Sequence, residues 1–316
     1  MEYTTTITEQ KPIVITIGNF DGLHKGHQRL MHELQSMAQA LECTPAVVIF
    51  SPHVLAVIRP EMFVQYLTTV EEKLALIQQF GGIADSIVIH FTPAVAAMSA
   101  HEFMDHLCTH FAIKGLVVGT DFSFGHNRMG NIAFLEQYGR EHQIQIHAIS
   151  LEEAEHTRIS STRIRTLVSE GNISEANELL GHPVRVSGIV KQGDRRGRQL
   201  GFPTANLQLD PHKLLPADGV YAVYARIQNL PGSDANTSVP VYKGVTNIGI
   251  RPTFNGKERL VEAHLLDVDL DLYEKYLELD FIARLRGEQR FPHIEALKAQ
   301  ITADVEQARQ ILATGG

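Results

Sequence analysis

One stretch of the sequence decides the fold of the N-terminal half, Gly18-Asn19-Phe20-Asp21-Gly22-Leu23-His24-Lys25-Gly26-His27. It follows an apolar run, Ile13 to Ile17, that predicts a strand, and it precedes a pattern that predicts an amphipathic helix. Its three glycines allow the backbone to approach a ligand closely, and the positive end of the helix dipole lies beside them. Two histidines flank Lys25-Gly26. Together these features predict a phosphate-binding loop rather than a plain strand–helix corner.

The first half of the chain alternates predicted strands with predicted helices. Short apolar runs occupy residues 13–17, 47–50, 87–89 and 116–118. Capping boxes at Thr69–Glu72 and Ser99–Glu102 open helices, and Gly81-Gly82 ends the first of them. Such an alternation is typical of a parallel sheet covered on both faces, in which ligands bind beyond the carboxyl ends of the strands.

The pattern changes after Pro183, where the helical period disappears. Short β-branched runs separated by turn residues predict a small antiparallel barrel. The predicted strands are Val184–Lys191, Val220–Ile227, Val239–Val245, Val261–Val268 and Leu277–Ala283. An apolar stripe from His293 to Ala313 predicts a closing helix. We therefore expect two domains, residues 1–182 and residues 183–316.

Composition limits the class of protein. The chain has 316 residues, of which 44% are hydrophobic, and a net charge of -8. This acidic balance argues against a general nucleic-acid surface but allows anionic small ligands. The two cysteines form no disulfide framework and suit a reducing compartment. Because Met1 to Lys11 is polar and no apolar run could span a bilayer, we expect a cytoplasmic protein without membrane contacts. The oligomeric state, a homo-oligomer included, stays open.

Two further segments of the first half suit phosphate binding. Gly119–Asn131 follows a predicted strand directly, as the first loop does. Ile159–Arg165 places three hydroxyl groups at a predicted helix start and adds Arg163 and Arg165. Backbone N–H groups, hydroxyls and guanidinium groups at one helix start suit a pyrophosphate leaving group. A serine-rich helix start is by itself mostly a capping signal, so this interpretation depends on the other two loops.

The second half carries a separate cluster in Gly193–Leu207. Its glycines and arginines make a cationic loop able to fold over phosphates. Thr204 and Asn206 present oxygen atoms on the same side of an extended segment, which suits Mg²⁺. Downstream, Asn247–Phe254 is expected to form a loop, and Glu262 lies in a predicted strand between apolar neighbours. Its carboxylate suits a general base for a hydroxyl group, although an isolated strand glutamate more often faces solvent.

Other interpretations of the motifs are weaker. The sequence contains no Gly-x-x-x-x-Gly-Lys-Ser/Thr and no Gly-x-Gly-x-x-Gly segment, so neither a P-loop nor a dinucleotide fingerprint is present. His106 and His110 have the i, i+4 spacing of a zinc pair, with Cys108 between them. The predicted buried stripe of that helix points elsewhere, and no glutamate follows His106, which disfavours zinc.

These segments resemble the bifunctional prokaryotic riboflavin kinase/FMN adenylyltransferase (FAD synthetase) family along nearly the whole chain. The first domain is similar to the adenylyltransferase module in Gly18–His27, Gly119–Asn131 and Ile159–Arg165. The second is similar to the kinase module, most specifically in Pro203-Thr204-Ala205-Asn206. The resemblance implies a Rossmann-like nucleotidyltransferase α/β domain with a parallel sheet, followed by a small antiparallel β-barrel with a closing helix.

The resemblance also implies two reactions. The kinase would transfer the γ-phosphoryl group of ATP to riboflavin, and the FMN product would then attack a second ATP to give FAD and pyrophosphate. The catalytic residues would be Glu262 in the first reaction and His24, His27 and Arg163 in the second. The ATP site for adenylylation would comprise Gly18, Asn19, Phe20, Asp21, Gly22, Gly26, Asp121, Ser160, Ser161, Thr162 and Arg165. The ATP site of the kinase would comprise Gly193, Arg196, Gly197, Gly201, Pro203, Thr204 and Asn206, and the last two would also hold Mg²⁺. The flavin would contact Phe50, His53, Phe122, Phe124, Arg286 and Glu288.

One departure from the family's usual sequence bears on function. Where the family has Thr-Phe-Asp/Glu-Pro-His-Pro, this chain has Ile49-Phe50-Ser51-Pro52-His53-Val54 and lacks the acidic position and the last proline. Two rival hypotheses therefore stay open, an enzyme in which only the kinase is active and a flavin-binding sensor without turnover. The presence of His24, His27, Thr204, Asn206 and Glu262 disfavours the sensor.

Overall fold

The chain divides into two compact units. The structure, a computed structural model, describes residues 1–7, 11–150, 159–192, 197, 200–228, 240–253, 256–268 and 270–313. The first unit comprises Met1–Gln65 and Val70–Ser160, and the second comprises Tyr66–Thr69 and Ser161–Gly316. Within the described ranges, no helix is long and apolar enough to cross a membrane.

The first unit is built on a sheet of six strands. These are β1 (Tyr3–Thr5), β2 (Ile13–Ile17), β3 (Thr44–Ser51), β4 (Asp85–His90), β5 (Ile113–Gly119) and β6 (Gln145–Ile149). Their order is β1-β4-β3-β2-β5-β6, in which β1 is antiparallel and the other strands are parallel. The four predicted apolar runs are thus confirmed as parallel strands. The polar β1 and the half-exposed β6 carry no continuous apolar run, so the sequence pattern does not reveal them.

Helices cover both faces of this sheet, as predicted. They are α1 (Lys25–Ala40), α2 (Val54–Ile58), α3 (Val70–Gly81), α4 (Pro93–Ala97), α5 (Ala100–His110) and α6 (Ile132–His142). Successive residues of β2 point into different cores. Ile13 and Ile15 pack in the cluster that contains Leu107 of α5, whereas Val14 packs in the cluster that contains Leu34 of α1. Burial of both faces explains why this strand is apolar at every position.

The predicted helix boundaries in this unit hold at two sites. Before α5, Ser99 Oγ accepts a hydrogen bond from Glu102 N at 3.2 Å, and Glu102 Oε2 accepts one from Ser99 N at 2.8 Å. This reciprocal pair is the predicted capping box. Helix α3 ends at Gly81, and the following Gly82 has a φ of +65°, which a glycine adopts without strain.

The second unit contains a closed antiparallel barrel. Its strands are β7 (Val184–Lys191), β8 (Ala205–Gln208), β9 (Gly219–Gln228), β10 (Val241–Thr253), β11 (Gly256–Leu265) and β12 (Tyr276–Arg286). The order around the barrel is β10-β11-β8-β7-β12-β9. The last helix, α9 (Ile294–Ala313), buries Ala308 and Leu312 in a cluster with Val220 and Ala222, which confirms the predicted closing helix.

The predicted loop at Asn247–Phe254 is wrong. Strand β10 continues through this segment and pairs with β11 as far as Thr253 opposite Gly256, while Phe254 lies outside the described residues. Gly249 and Pro252 interrupt the apolar alternation, which is why the sequence indicated a loop. The strand forms because ladder hydrogen bonds use the backbone and need no apolar side chain at each position.

Helices α7 (Ser161–Glu170) and α8 (Ile173–Leu180) belong to the second unit by their contacts. Asn177 Nδ2 donates a hydrogen bond to Phe281 O of β12 at 2.8 Å, and Asn177 Oδ1 accepts one from Val184 N at 2.8 Å. The asparagine therefore joins α8 to two strands of the barrel. The compact units divide before residue 161, whereas a division of activities into residues 1–182 and 183–316 stays a prediction.

The second unit also includes the tetrapeptide Tyr66–Thr69. Tyr66 N donates to His212 O at 3.0 Å, and Leu214 N donates to Tyr66 O at 2.9 Å. Between these bonds, Lys213 donates its ammonium group to Leu67 O and is only 3% exposed. A buried ammonium group needs such a partner, because removing an unpaired charge from water is very costly.

Replacement of Asn177 by alanine should destabilise the second unit, because Phe281 O and Val184 N lose their side-chain partner. Loss of partners for partly buried polar groups typically costs about 1–3 kcal/mol of unfolding free energy. Urea denaturation followed by circular dichroism measures this change. Asn172→Ala is the control, since its side chain bonds to Glu170 at an exposed position and its loss should cost less than about 0.5 kcal/mol. Equal unfolding free energies of the two variants would contradict the role of Asn177 in joining α8 to the barrel.

Candidate functional site

Three loops of the first unit lie at one edge of its sheet. Strands β3, β2 and β5 are neighbours, and residues 52–53, 18–27 and 120–130 follow their carboxyl ends. Parallel strands end at the same edge, so the structure brings the predicted ATP-binding and flavin-binding residues of these loops to one region. This edge is the candidate site of the first unit.

The loop after β2 is held by its own apolar side chains. Phe20 and Leu23 are buried in the core shared with α1. The backbone turns through positive φ at Phe20, Gly22 and Leu23, with values of 44°, 79° and 39°. Gly18 N donates to Val48 O at 3.1 Å and fixes the start of the loop on β3. The polar residues of the loop are positioned by these anchors.

The two histidines of this loop form one compact pair. His24 caps α1, where its Nδ1 accepts a hydrogen bond from His27 N at 3.4 Å. The two rings stack with centroids 3.6 Å apart, and Phe20 meets His27 edge-on at 5.4 Å. A Cβ on Gly26 would lie 3.2 Å from Cε1 and Nδ1 of His24, so glycine at this position leaves room for the ring. The pair can present imidazole nitrogens to a phosphate at the positive end of α1.

Burial sets the electrostatics of this pair. His27 Nδ1 and Asn19 Oδ1 are fully buried and have no hydrogen-bond partner among the described residues. Burial lowers the pKa of His27 well below its ordinary value, and repulsion from His24 and Lys73 lowers it further. Lys73, on α3, is a residue that the sequence analysis missed. Its only signal is a lysine on the apolar face of a predicted helix, beside Leu76 and Ile77.

The predicted flavin residues of the first unit lie around an aromatic cluster. Phe124 packs against Phe122 and Phe103 with centroid distances of 5.5 Å, and Phe50 lies 6.2 Å from Phe103. His53 caps α2 through Nδ1, which accepts a hydrogen bond from Leu55 N at 3.2 Å. The cluster offers apolar surface at the edge of the sheet that also carries the histidine pair. A planar aromatic ligand requires such a surface. Asp121 lies in the loop after β5 and is exposed.

The predicted phosphate residues on α7 are described with the second unit. Ser161 is the first residue of this helix, and Thr162, Arg163 and Arg165 lie in its first turns, whereas Ser160 belongs to the first unit. Arg163 Nη2 lies 2.7 Å from Glu175 Oε1 of α8. The roles of these residues in ATP binding stay predictions.

In the barrel, strand register places a polar row on one face. Glu262 of β11 pairs with Asn206 of β8 on one side and with Asn247 of β10 on the other. Directly opposed residues of neighbouring strands point to the same face, so the three side chains are neighbours. Glu262 is half-buried, while Val261 and Ala263 beside it are buried on the opposite face. The arrangement suits a carboxylate held by amide neighbours.

The Pro203-Thr204 segment directly precedes β8, the strand that contributes Asn206 to this row. His264 Nδ1 lies 2.8 Å from Pro203 O, and the Phe202 ring meets His264 edge-on at 5.6 Å. Phe202 N donates to Gly197 O at 2.8 Å, and a Cβ on Gly197 would lie 3.2 Å from Thr204 Oγ1. Gly201 lies in the turn that the bond from Phe202 to Gly197 closes, and it has a φ of 90°, which a glycine adopts without strain. Gly193 and Arg196 lie outside the described residues.

A cavity of about 290 Å³ opens beside this segment. Its lining includes Pro203, Thr204, Ala263, Leu265, Asp271 and Tyr273. The cavity is bounded by the buried face of β11 and by the polar Thr204. It therefore offers apolar surface for a ring system next to oxygen groups, a common arrangement in small-molecule sites.

Arg286 and Glu288, predicted to contact flavin, have defined neighbours in the barrel. The Arg286 guanidinium donates from Nε and Nη2 to the buried Asp304 of α9, at 3.0 and 2.8 Å. This pair joins β12 to α9, and sequence analysis did not find Asp304. A Cβ on Gly249 would lie 2.8 Å from Glu288 Oε1 and 3.4 Å from Asn247 Nδ2, so Glu288 lies beside the polar row. Flavin contact by either residue stays a prediction.

The donor set around the row fits a magnesium ion held mainly by phosphate. Thr204 and Asn206 offer neutral oxygen atoms, and Mg²⁺ prefers oxygen ligands while keeping waters and substrate phosphates. Within the described residues, no group of three or more histidine, cysteine, aspartate or glutamate side chains could hold a metal by itself. Thr204 and Asn206 are the residues whose oxygen atoms would suit Mg²⁺ in this row.

Comparisons with known proteins identify the family of both units. The FAD synthetase family model matches residues 6–163, and the riboflavin kinase model matches residues 180–312. The bifunctional riboflavin kinase/FMN adenylyltransferase of Escherichia coli (strain K12) is 37% identical over 302 residues, which cover 95% of this chain and 93% of that protein. The Pseudomonas fluorescens protein of the same description is 37% identical over 312 residues, or 96% and 94% of the two chains.

The chain therefore belongs to the bifunctional riboflavin kinase/FMN adenylyltransferase family. A crystal structure described as a macrolide-efflux protein from Streptococcus pneumoniae has a TM-score of 0.83 to this chain at 29% identity and covers 96% of both chains. This likeness supports the fold of both units.

The lowered pKa of His27 predicts a pH-dependent stability. Above the ordinary value of 6.5 the ring is neutral in the folded and unfolded chains alike. As the pH falls below this value, the unfolded chain binds a proton that folded His27 does not bind, so the unfolding free energy falls. The effect is at most about 1.4 kcal/mol per pH unit for one proton. Urea denaturation between about pH 7.5 and 5 should show a steeper decline for the parent than for His27→Gln. Identical pH dependence would contradict the lowered pKa.

Proposed function

We propose that the second unit phosphorylates riboflavin to FMN and that the first unit adenylylates FMN to FAD. Membership of the family supports both reactions. The row of Asn206, Glu262 and Asn247 supports the kinase site, because a half-buried carboxylate lies between two amides there. The stacked pair of His24 and His27 supports the adenylylation site.

In the kinase reaction, Glu262 removes the proton from the 5′-hydroxyl of riboflavin. The freed oxygen attacks the γ-phosphorus of ATP, the bond from this phosphorus to the β,γ-bridging oxygen breaks, and ADP leaves. Asn206 and Asn247 hold the Glu262 carboxylate toward the hydroxyl. A general base of this kind must lie within hydrogen-bond reach of the proton that it removes. Mg²⁺, held by Thr204 and Asn206 with the phosphates, would neutralise charge on the leaving phosphates.

In the adenylylation reaction, the substrate supplies the nucleophile. An FMN phosphate oxygen attacks the α-phosphorus of ATP, the bond to the α,β-bridging oxygen breaks, and pyrophosphate leaves. His24 and His27 donate hydrogen bonds to the phosphates at the start of α1. The protein contributes positioning and charge stabilisation, which are the main means of catalysis in phosphate transfer.

Product analysis tests the proposal as a whole. The purified chain is incubated with riboflavin, ATP and Mg²⁺, and riboflavin, FMN and FAD are separated by chromatography. We expect FMN to appear first and FAD to follow. FMN without FAD would limit the activity to the kinase, and absence of both products would favour a flavin sensor.

Glu262→Gln should remove most kinase turnover, because glutamine keeps the size of the side chain but cannot take a proton. Loss of a general base typically lowers the rate about 10²–10⁴-fold. FMN formation from riboflavin and FAD formation from supplied FMN are measured in the same preparation, and the second rate should persist. Glu295→Gln is the matched control, since Glu295 is an exposed residue of α9. An unchanged rate of FMN formation would contradict the general-base role of Glu262 and indicate a side chain that only faces solvent.

His27→Ala should abolish FAD formation from FMN and leave FMN formation intact. Removal of one preorganised donor from a phosphate site costs about 10²–10³ in rate. The control is His32→Ala, because His32 is exposed on the same helix. An adenylylation rate within a few-fold of the parent would contradict the site assignment.

A further inference from the structure

Lys191 and Glu274 form an ion pair beside the polar row of the barrel, and neither proposed reaction uses it. Lys191 Nζ lies 3.0 Å from Glu274 Oε2 and 3.3 Å from Glu274 Oε1. The side chains of the two residues are 44% and 71% exposed. An exposed ion pair contributes little to stability, because water and salt screen the attraction. Lys191 can therefore exchange Glu274 for another anion at little cost.

Strand register places Lys191 in line with the polar row. Lys191 of β7 pairs with Asn206 of β8, which pairs in turn with Glu262 of β11. Directly opposed residues point to the same face, with Cβ atoms about 4.5–5.5 Å apart. Lys191 also ends β7, two residues before Gly193, where the sequence predicts the start of a cationic loop that folds over phosphates. The row thus continues from the carboxylate of Glu262 through Asn206 to a cation.

The backbone at Glu274 is strained in a way that fixes this residue beside Lys191. Lys275 N donates to Leu272 O at 3.1 Å and closes a turn in which Glu274 is the third residue, with a φ of +60°. Glycine is usual at such a position, because left-handed backbone is unfavourable for a residue with a side chain. Two hydrogen bonds of 2.9 Å hold the turn on β7, from Glu274 N to Val190 O and from Val190 N to Lys275 O. A strained residue held by its surroundings often marks a functional position.

The ion pair also adjoins the cavity beside Thr204. Val190, Thr204 and Tyr273 belong to the lining of this cavity. Lys191 directly follows Val190 in the chain, and Glu274 directly follows Tyr273. The long, flexible stem of a lysine side chain can therefore carry its charge toward a ligand that occupies the cavity and extends past Thr204.

We propose that Lys191 is a further phosphate-binding residue of the kinase site, which exchanges Glu274 for the terminal phosphates of ATP when the nucleotide binds. This inference rests on the kinase reaction proposed above for the second unit. Lysine binds phosphate as a compact charge, so the change of partner needs only rotation of its side chain. The ammonium group stabilises the charge on the phosphates during transfer of the γ-phosphoryl group, and Glu274 competes with the nucleotide for Lys191.

Lys191→Met in the full chain tests the binding of phosphate. Formation of FMN and FAD from riboflavin is measured at varied ATP and at varied riboflavin concentrations. We expect kcat/KM for ATP to fall about 10- to 100-fold, because one charge-assisted hydrogen bond to phosphate is lost. The KM for riboflavin should not change, and FAD formation from supplied FMN should persist. Lys191→Arg keeps the charge and should retain most of the parent's kcat/KM for ATP. Lys243→Met, at an exposed position on the same face of the barrel, is the matched control.

Glu274→Gln tests the competition for Lys191, because glutamine keeps the size of the side chain but not its charge. The KM for ATP should fall about 2- to 5-fold, the factor that corresponds to an exposed ion pair. Glu295→Gln, at an exposed position of α9, is the control. An unchanged or raised KM for ATP in Glu274→Gln would overturn the exchange of partners.

The outcomes separate this inference from the proposed function. An unchanged kcat/KM for ATP in Lys191→Met, or an equal loss in Lys191→Arg, would overturn the role of Lys191 while the kinase reaction stands. Absence of FMN formation by the parent would overturn both. If urea denaturation shows Lys191→Met to be misfolded, the KM values of Lys191→Arg and Glu274→Gln decide. If Glu262→Gln keeps FMN formation while Lys191→Met raises the KM for ATP, the general-base role fails and the phosphate-binding role stands.

Discussion

Burial of Phe20 and Leu23 under the loop after β2 is the constraint on which the first unit's site depends. Both side chains enter the core, although the chain must adopt positive φ at both residues to bring them there. Left-handed backbone costs about 1–2 kcal/mol for a residue with a side chain. Burial of a large apolar side chain contributes about 1.5–3 kcal/mol, which offsets that cost. The turn so formed delivers His24 to the start of α1 as its cap and sets His27 against it.

Strand register plays the corresponding part in the second unit. A slip of one residue along β11 would move Glu262 to the apolar face and bring Val261 or Ala263 into the polar row. The closed barrel resists such a slip, because every strand is paired on both sides. Asp304 adds a side-chain restraint at the end of β12, where it accepts hydrogen bonds from Arg286. Backbone pairing thus fixes which three side chains form the row.

The sequence predicts those features whose cause is local. Strand β2 is apolar throughout because both faces are buried, and the box at Ser99 uses residues three positions apart. The extension of β10 depends on pairing with β11, which no local pattern reports. Lys73 was not predicted to be buried, because a lysine in a helix normally indicates a solvated face. The contacts of α8 with the barrel could not be predicted either, since an amphipathic helix does not reveal which sheet it packs on.

The tetrapeptide Tyr66–Thr69 has a consequence for the order in which the chain assembles on the ribosome. The second unit uses a segment that is synthesised long before the rest of it, since the bond from Lys213 to Leu67 spans 146 residues. The first unit, by contrast, can complete its sheet once β6 has emerged, because its strands all precede residue 150. The early segment must stay accessible until residues 212–214 are made, and a late domain translated alone would lack the acceptor that its buried lysine uses. Folding of the second unit therefore depends on contacts between residues that are far apart in the sequence. Contacts of this kind slow folding more than they weaken the folded state.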